Sequence, residues 1–249
     1  MLVIRNEQFT VFEEAAVKEF ESRTSEYVEL NFPKHYEIQG VETIRTVIHE
    51  GVQKAREYGF ILEKHLTEYI CLMFTLGSAF DRDIQFPWAT AILEDDSILN
   101  AASRMDGLLE MCNDYLDAVG GIDNIFIEGA IRKVEIESLP DSTMLLSGDF
   151  QPDMFVRLNR IWPEKCACLG EATVGDMIQY GLEAGQDFGL STEKGMIVYV
   201  GLMFMLGSDF ATDPQFSWIR EVLADTSLPS PDKGERLHEE AMRYLNKWK

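Results

Sequence analysis

The chain has 249 residues, 46% of them apolar, with a formal net charge of −21 from 43 acidic against 22 basic residues. That apolar content builds a folded core and excludes an intrinsically disordered chain. An isoelectric point near 4.5 argues against nucleic acid and anionic membranes, both negatively charged, and permits a basic protein partner, although acidity also serves plain solubility.

Residues 1–5 (MLVIR) read as a short strand or an extended lead-in. Nothing there has the basic segment and apolar run of a signal peptide, and no run of about 18 apolar residues occurs, so neither export nor a membrane span is expected. The four cysteines, Cys71, Cys112, Cys166 and Cys168, are irregularly spaced. Free thiols in a reducing cytoplasm are the expectation.

Residues 7–31 predict a long amphipathic helix with Phe9, Phe12, Ala16, Val17, Phe20, Tyr27, Val28 and Leu30 at three- and four-residue steps. It stops at Phe32-Pro33, since the residue before proline avoids the helical region. Residues 41–58 predict a helix facing inward through Ile44, Val47, Ile48, Val52, Ala55 and Tyr58, closed by Gly59. Residues 63–76 form a helix apolar nearly all round in its second half, and such a helix is buried. Gly77-Ser78 ends it. An aromatic loop with Phe80, Phe86 and Trp88 follows, then a short helix over 88–93, an acidic turn, and a last helix over 97–119.

The chain then repeats itself. Residues 40–95 and 170–225 align without a gap, with roughly 20 of about 56 positions identical. The second copy has Gly189 where the first has Gly59, Ser191 or Thr192 as a helix cap, a short helix over 218–223, and a last helix over 231–248 behind Ser230-Pro231. Gly120-Gly121 marks the boundary. The expected fold is all-α, with two tandem repeated helical units packed together, residues 1–120 and 121–249. The second carries an insert over 121–150. Within it, IFIEGAIRKVEIES reads as a helix on Ile127, Ala130, Ile131 and Val134, or as a strand over 131–136; the helical surroundings favour helix. Residues 151–162 read as a shortened counterpart of the first helix.

Duplication separates scaffold from site: side chains present in both copies serve the shape, and a unique site belongs where the copies differ. The string GSxFxxDxQFxW, with Asp83 and Gln85 in one copy and Asp213 and Gln215 in the other, is therefore read as structural, its aspartates capping the short helix or a turn. An EF-hand would need a mid-loop glycine and a terminal glutamate that are missing. His35, His49 and His65 become Lys165, Gln179 and Gly195 in the second copy, so no repeated metal site exists, and no HExxH, nucleophile elbow or phosphate loop occurs. No cofactor and no catalytic residue are expected. The copy-specific acids Glu94, Asp95, Asp96, Glu135, Glu137 and Asp141, with the apolar anchors Met144 and Phe150, form the expected surface for a protein partner. Leu145, Leu146 and Met154 belong to the same apolar set.

The motifs Tyr58-Gly59, Glu63, Tyr69, Leu72-Met73-Phe74, Leu76-Gly77 and Phe80, with the tail Pro87-Trp88, Ile92-Leu93 and Asp95, resemble a family of small bacterial helical proteins associated with the gene neighbourhoods of type VI secretion effectors. The resemblance covers the first copy and, from Pro163 onwards, the second, which departs at Ser217, where the first has Pro87. It implies a non-enzymatic immunity protein that neutralises a secreted toxin, or alternatively an adaptor or chaperone that loads an effector. It carries over no catalytic residue. An enzyme with an unrecognised acid site is the remaining alternative.

Overall fold

The computed structural model describes residues 6–146 and 148–248, with side chains from residue 15 onward except at 147. The expected lead-in at residues 1–5 lies outside the described residues, as do the side chains of Phe9 and Phe12. The described chain is all-helical, and no strand occurs among the described residues. It forms two compact units, one up to Thr75 and one from Leu76.

The first unit holds α1 (Asn6–Asn31), α2 (Pro33–Gln39), α3 (Val41–Glu57) and most of α4 (Glu63–Leu76). The α1 stripe that reaches the core is Phe20, Thr24 and Val28, spaced by four residues. Tyr27 and Leu30 lie about 100° and 200° round the helix from Val28 and are exposed, which corrects the wider face read from the sequence. Helix α2 was not anticipated. Pro33 sits at its first positions, so the proline that ends α1 also starts the next turn. The face of α3 is buried as its period requires, through Ile44, Val47, Ile48, Val52 and Ala55. It meets α4 so closely at Gly51 that an added Cβ would lie 2.7 Å from Ile70 Cγ1.

The second unit runs through α5 (Pro87–Leu93), α6 (Ala101–Gly120), α7 (Ile125–Glu135), α8 (Phe150–Ile161), α9 (Pro163–Leu169), α10 (Glu171–Asp187), α11 (Glu193–Leu206), α12 (Ser217–Ala224) and α13 (Ser230–Lys247), with short 3-10 turns before α5, α7 and α12. Helix α11 is buried on all sides, from Gly195 to Phe204, and packs against α10, α8 and α13. Thr192 caps it, its Oγ1 accepting from Gly195 N. Helix α6 begins four residues later than read, because Asp95 accepts from Ser97 N at 2.8 Å and closes a turn first, leaving Asn100 to cap α6 through Ala102 N at 2.9 Å. The ambiguous stretch is the helix α7, ending at Glu135 with Ile136 as its C-cap; no strand forms there.

Candidate functional site

The two loops that carry the repeated string hold each other by reciprocal hydrogen bonds within the second unit. Asp83 accepts from Ser208 N at 2.7 Å and from Ser208 Oγ. Asp213 accepts from Ser78 N and from Ser78 Oγ, each at 2.7 Å. Each aspartate also accepts from the backbone two residues on, Gln85 N at 2.8 Å and Gln215 N at 2.9 Å. That second bond is the turn-capping role read from sequence. The bonds to the serines span well over a hundred residues and were not readable. All four side chains are buried. Gly77 and Gly207 stand where α4 and α11 end, both at φ +106°. An added Cβ on Gly77 would lie 3.0 Å from the Leu206 carbonyl, and on Gly207 3.3 Å from the Leu76 carbonyl. Only glycine combines that backbone conformation with that approach.

Beside this clasp lies a buried amine. Lys165, on α9, is 3% exposed. Its Nζ donates to the Phe204 carbonyl and sits 4.8 Å from the Phe204 ring centroid, 5.2 Å from Trp162 and 5.9 Å from Tyr115. Burial pulls its pKa from 10.5 down to about 8, and the nearby Asp83 carboxylate opposes part of that fall. Burial also raises Asp83, against its hydrogen bonds from Ser208 and Gln85 and the attraction of Lys165. Desolvation thus outweighs attraction for both partners. In the first unit, His35 stands at the matching sequence position, hydrogen-bonded to the Phe74 backbone and edge-on to Phe32 and Phe74. A lysine normally reads as surface, so sequence reasoning passed over Lys165.

The lowered lysine pKa has a measurable consequence. Below about pH 8 both folded and unfolded chains hold the Lys165 proton, and the cost of burying the charge is fully present. Between about 8 and 10.5 the unfolded chain still holds a proton that the native chain has shed, so this group's contribution to stability rises with pH. Tyr115, Cys166 and other buried groups raised by burial act in the opposite sense near the top of that window. The test is therefore a difference. From pH 7 to 9.5, wild type should gain roughly 1–2 kcal/mol relative to Lys165→Met in urea denaturation. A constant difference would show that the ammonium stays charged throughout.

The expected partner surface is partly assembled and partly corrected. Residues 138–146 form an irregular strap after α7. Glu137, at its start, pairs with Arg157 and Arg160, and Arg157 also donates to the Ser138 carbonyl at 3.1 Å. Asp141 accepts from Thr143 N at 2.8 Å and Thr143 Oγ1 at 2.6 Å, bonds that hold its carboxyl below the ordinary range. The strap is then stitched to the start of α11. Glu193 N donates to Met144 O at 2.9 Å, Leu146 N donates to Ser191 O at 3.3 Å, and Leu145 faces Thr192 in an antiparallel bridge. Met144 and Leu145 remain 49% and 73% exposed. Phe150 is the correction: it is 4% exposed and belongs to the core with Met154, because it opens the inward face of α8. Glu135, at the end of α7, is half-buried, and Glu137 is neutralised within the unit, so neither offers a bare charge.

Glu94, Asp95 and Asp96 lie exposed on the turn between α5 and α6. Among the described residues no ion pair or hydrogen bond joins them to the strap. Asp95 is a turn acceptor for Ser97, and Asp225 does the same for Ser227 at 3.0 Å, so Asp95 belongs to the shared scaffold. No group of three or more His, Cys, Asp or Glu is placed to hold a metal among the described residues. No helix of the described residues is long and apolar enough to cross a membrane. Comparison with protein-family models, with curated proteins and with solved structures gives no match.

Proposed function

We propose that this chain is a non-enzymatic protein-binding module made of two related helical halves, an immunity protein that covers a basic secreted toxin in the cytoplasm. One observation carries the reading: the strap after α7 is held at its start through Glu137 and Ser138 and again at Met144 and Leu146, yet leaves Met144 and Leu145 exposed. A solvated loop has no need of exposed apolar side chains on an ordered backbone, whereas a partner's pocket does. The acidic chain supplies the long-range part, since a net charge of −21 steers a basic partner and speeds its association at low salt. Glu94 and Asp96 add to that field as exposed charges. The reciprocal aspartate–serine bonds support the two-halved architecture, because each half supplies the same donor and the same acceptor to the other. The resemblance read from the sequence motifs is the support for taking that partner to be a type VI secretion effector.

The test uses the product of the adjacent gene. Wild type should co-purify with it and abolish its toxic activity at equimolar ratio. The variant Met144→Asp with Leu145→Asp changes only exposed side chains and should leave stability within about 0.5 kcal/mol. It should weaken the complex by about 30-fold or more, as loss of a central apolar anchor does. A toxin fully active in the presence of excess wild type would defeat immunity, and unchanged affinity in the double variant would remove the strap from the interface.

A further inference from the structure

The two copies build the same aromatic corner and finish it differently. Tyr115 on α6 and Tyr244 on α13 each take a phenyl ring edge-on, Phe86 at 5.1 Å and Phe216 at 5.8 Å. In the second copy the corner is closed. Trp218 lies over Tyr244 at 5.6 Å, and Trp248 meets the same tyrosine at 6.0 Å. In the first copy Trp88 contacts Phe86 at 5.9 Å and makes no ring contact with Tyr115. A cleft of about 220 Å³ opens there instead, lined by Trp88, Tyr115, Met111, Leu169, Gln85 and Asp114, among others. A unique site is expected where duplicated scaffolds diverge, and this corner is such a place.

The cleft carries two acceptors, the Gln85 amide oxygen and the Asp114 carboxylate, beside the Thr173 and Tyr115 hydroxyls and the Cys168 thiol. Gln85 is 1% exposed; its amide nitrogen donates to the Met203 carbonyl at 3.0 Å, while its amide oxygen has no partner among the described residues. A buried carbonyl without a donor is costly unless something arrives to supply one. Asp114 adds an exposed carboxylate at the same cleft. Burial raises Tyr115 well above its ordinary pKa, so the phenol stays neutral. Among the described residues no cationic side chain lines the cleft, and Lys165 is engaged by the Phe204 carbonyl. The walls are otherwise mostly apolar and include the Trp88 indole, a ring type whose face attracts a cation.

We infer that the cleft between Trp88 and Tyr115 binds a guanidinium group, with Gln85 Oε1 and the Asp114 carboxylate as acceptors and Trp88 as the stacking face. Guanidinium fits better than ammonium because it is planar, stacks on an indole and presents donors along several edges to two separated acceptors. The cleft is smaller than sites that enclose whole ligands, so it takes a group and not a metabolite. Two sources share this chemistry: an arginine side chain of a protein partner, which rests on the partner-binding reading above, and a free guanidino compound, which does not.

The test is a titration of the full chain with N-acetylarginine methylamide, followed by the NMR shift of the Trp88 indole N–H, assigned by its loss in Trp88→Phe. Its isosteric neutral control is N-acetylcitrulline methylamide, at matched ionic strength. A saturable shift at Trp88 is expected, with half-saturation in the low millimolar range fitting a single buried group. Citrulline should bind at least about 10-fold more weakly, and Asp114→Asn, a surface change, should weaken arginine binding about 5-fold. No saturable shift, an equal response to citrulline, or a shift confined to Trp218 would overturn the site. Ethylguanidinium and an Ala-Arg-Ala peptide separate the sources: tighter binding of the peptide points to a polypeptide, and equal affinity points to a free compound. Intact toxin binding by Asp114→Asn alongside lost arginine binding would sink the partner-derived source while leaving the strap reading untouched.

Discussion

Asp83→Ala should be the most destabilising side-chain truncation among the loop residues, lowering unfolding stability by about 3–5 kcal/mol. Three buried donors lose their acceptor at once: Ser208 N, Ser208 Oγ and Gln85 N. Each stranded donor carries a desolvation penalty of about 1–3 kcal/mol, which local relaxation only partly relieves. The Lys165 ammonium also loses the carboxylate that opposes its fall in pKa. Asp213→Ala removes the same three kinds of bond, from Ser78 N, Ser78 Oγ and Gln215 N, and a fourth, longer one from Gln215 Nε2 at 3.4 Å. The part of the Asp83→Ala cost that comes from the buried lysine is the part that should vanish when Asp83→Ala is measured in a Lys165→Met background. Ser208→Ala should cost less, about 1–2 kcal/mol, since the backbone bond survives. Urea denaturation followed by circular dichroism gives all of these. If Asp83→Ala came within about 0.5 kcal/mol of wild type, the reciprocal bonds would not be holding the loops.

The ordering of these variants shows what a sequence conveys and what it withholds. The helices α3, α4 and α11 were legible because their apolar residues recur at the helical period or fill the helix, and because glycines mark their ends. The seven-residue helices α2 and α9 were not, because two turns are too short for a period to register. Each follows an aromatic–proline pair that also ends the helix before it, so one signal served two elements and was assigned to the first. The aspartates of the GSxFxxDxQFxW string were read as caps, and each does accept from the backbone two residues on. The reciprocal bonds were invisible, since the partner of each aspartate lies in the other copy, 125 or 135 residues away.

Charge misled more than apolarity did. Lys165 was noted only as the residue opposite His35, yet its ammonium lies among three aromatic rings. Glu137 was read as an exposed acid and is instead clamped by two arginines of α8. Phe150 was read as a surface anchor because it lies near Met144 in sequence, but α8 begins at that residue and turns it inward. What was recoverable in principle is the asymmetry of the aromatic corners. Trp248 closes on Tyr244 from the C-terminal end of the second copy, and the aligned blocks have no first-copy counterpart to it. The open cleft at Trp88 follows from that difference.

The second large effect concerns backbone against backbone. Gly234→Ala, in α13, should destabilise the protein by about 1–3 kcal/mol, although a glycine-to-alanine change inside a helix ordinarily stabilises by about 1 kcal/mol. An added Cβ on Gly234 would lie 2.8 Å from Gly195 Cα and 3.2 Å from Gly195 N. Both are main-chain atoms of α11, so no rotamer change relieves the clash and the helices must move apart. Separation would strain the Lys194–Glu235 ion pair and the two bonds that Lys233 makes, to the Phe188 carbonyl at 2.8 Å and the Leu223 carbonyl at 3.0 Å. Gly129→Ala in α7 is the matched control: nothing lies within 4 Å of its added Cβ, so helix propensity acts alone and the change should stabilise by about 0.5–1 kcal/mol. The two variants make the same chemical change and differ only in what the methyl meets. Opposite signs in urea midpoints establish that the α11–α13 crossing is set by glycine contact. Two stabilising outcomes would mean that the helices lie further apart than 2.8 Å allows, and that the tight packing of the most buried helix is looser than its sequence, apolar on every side, requires.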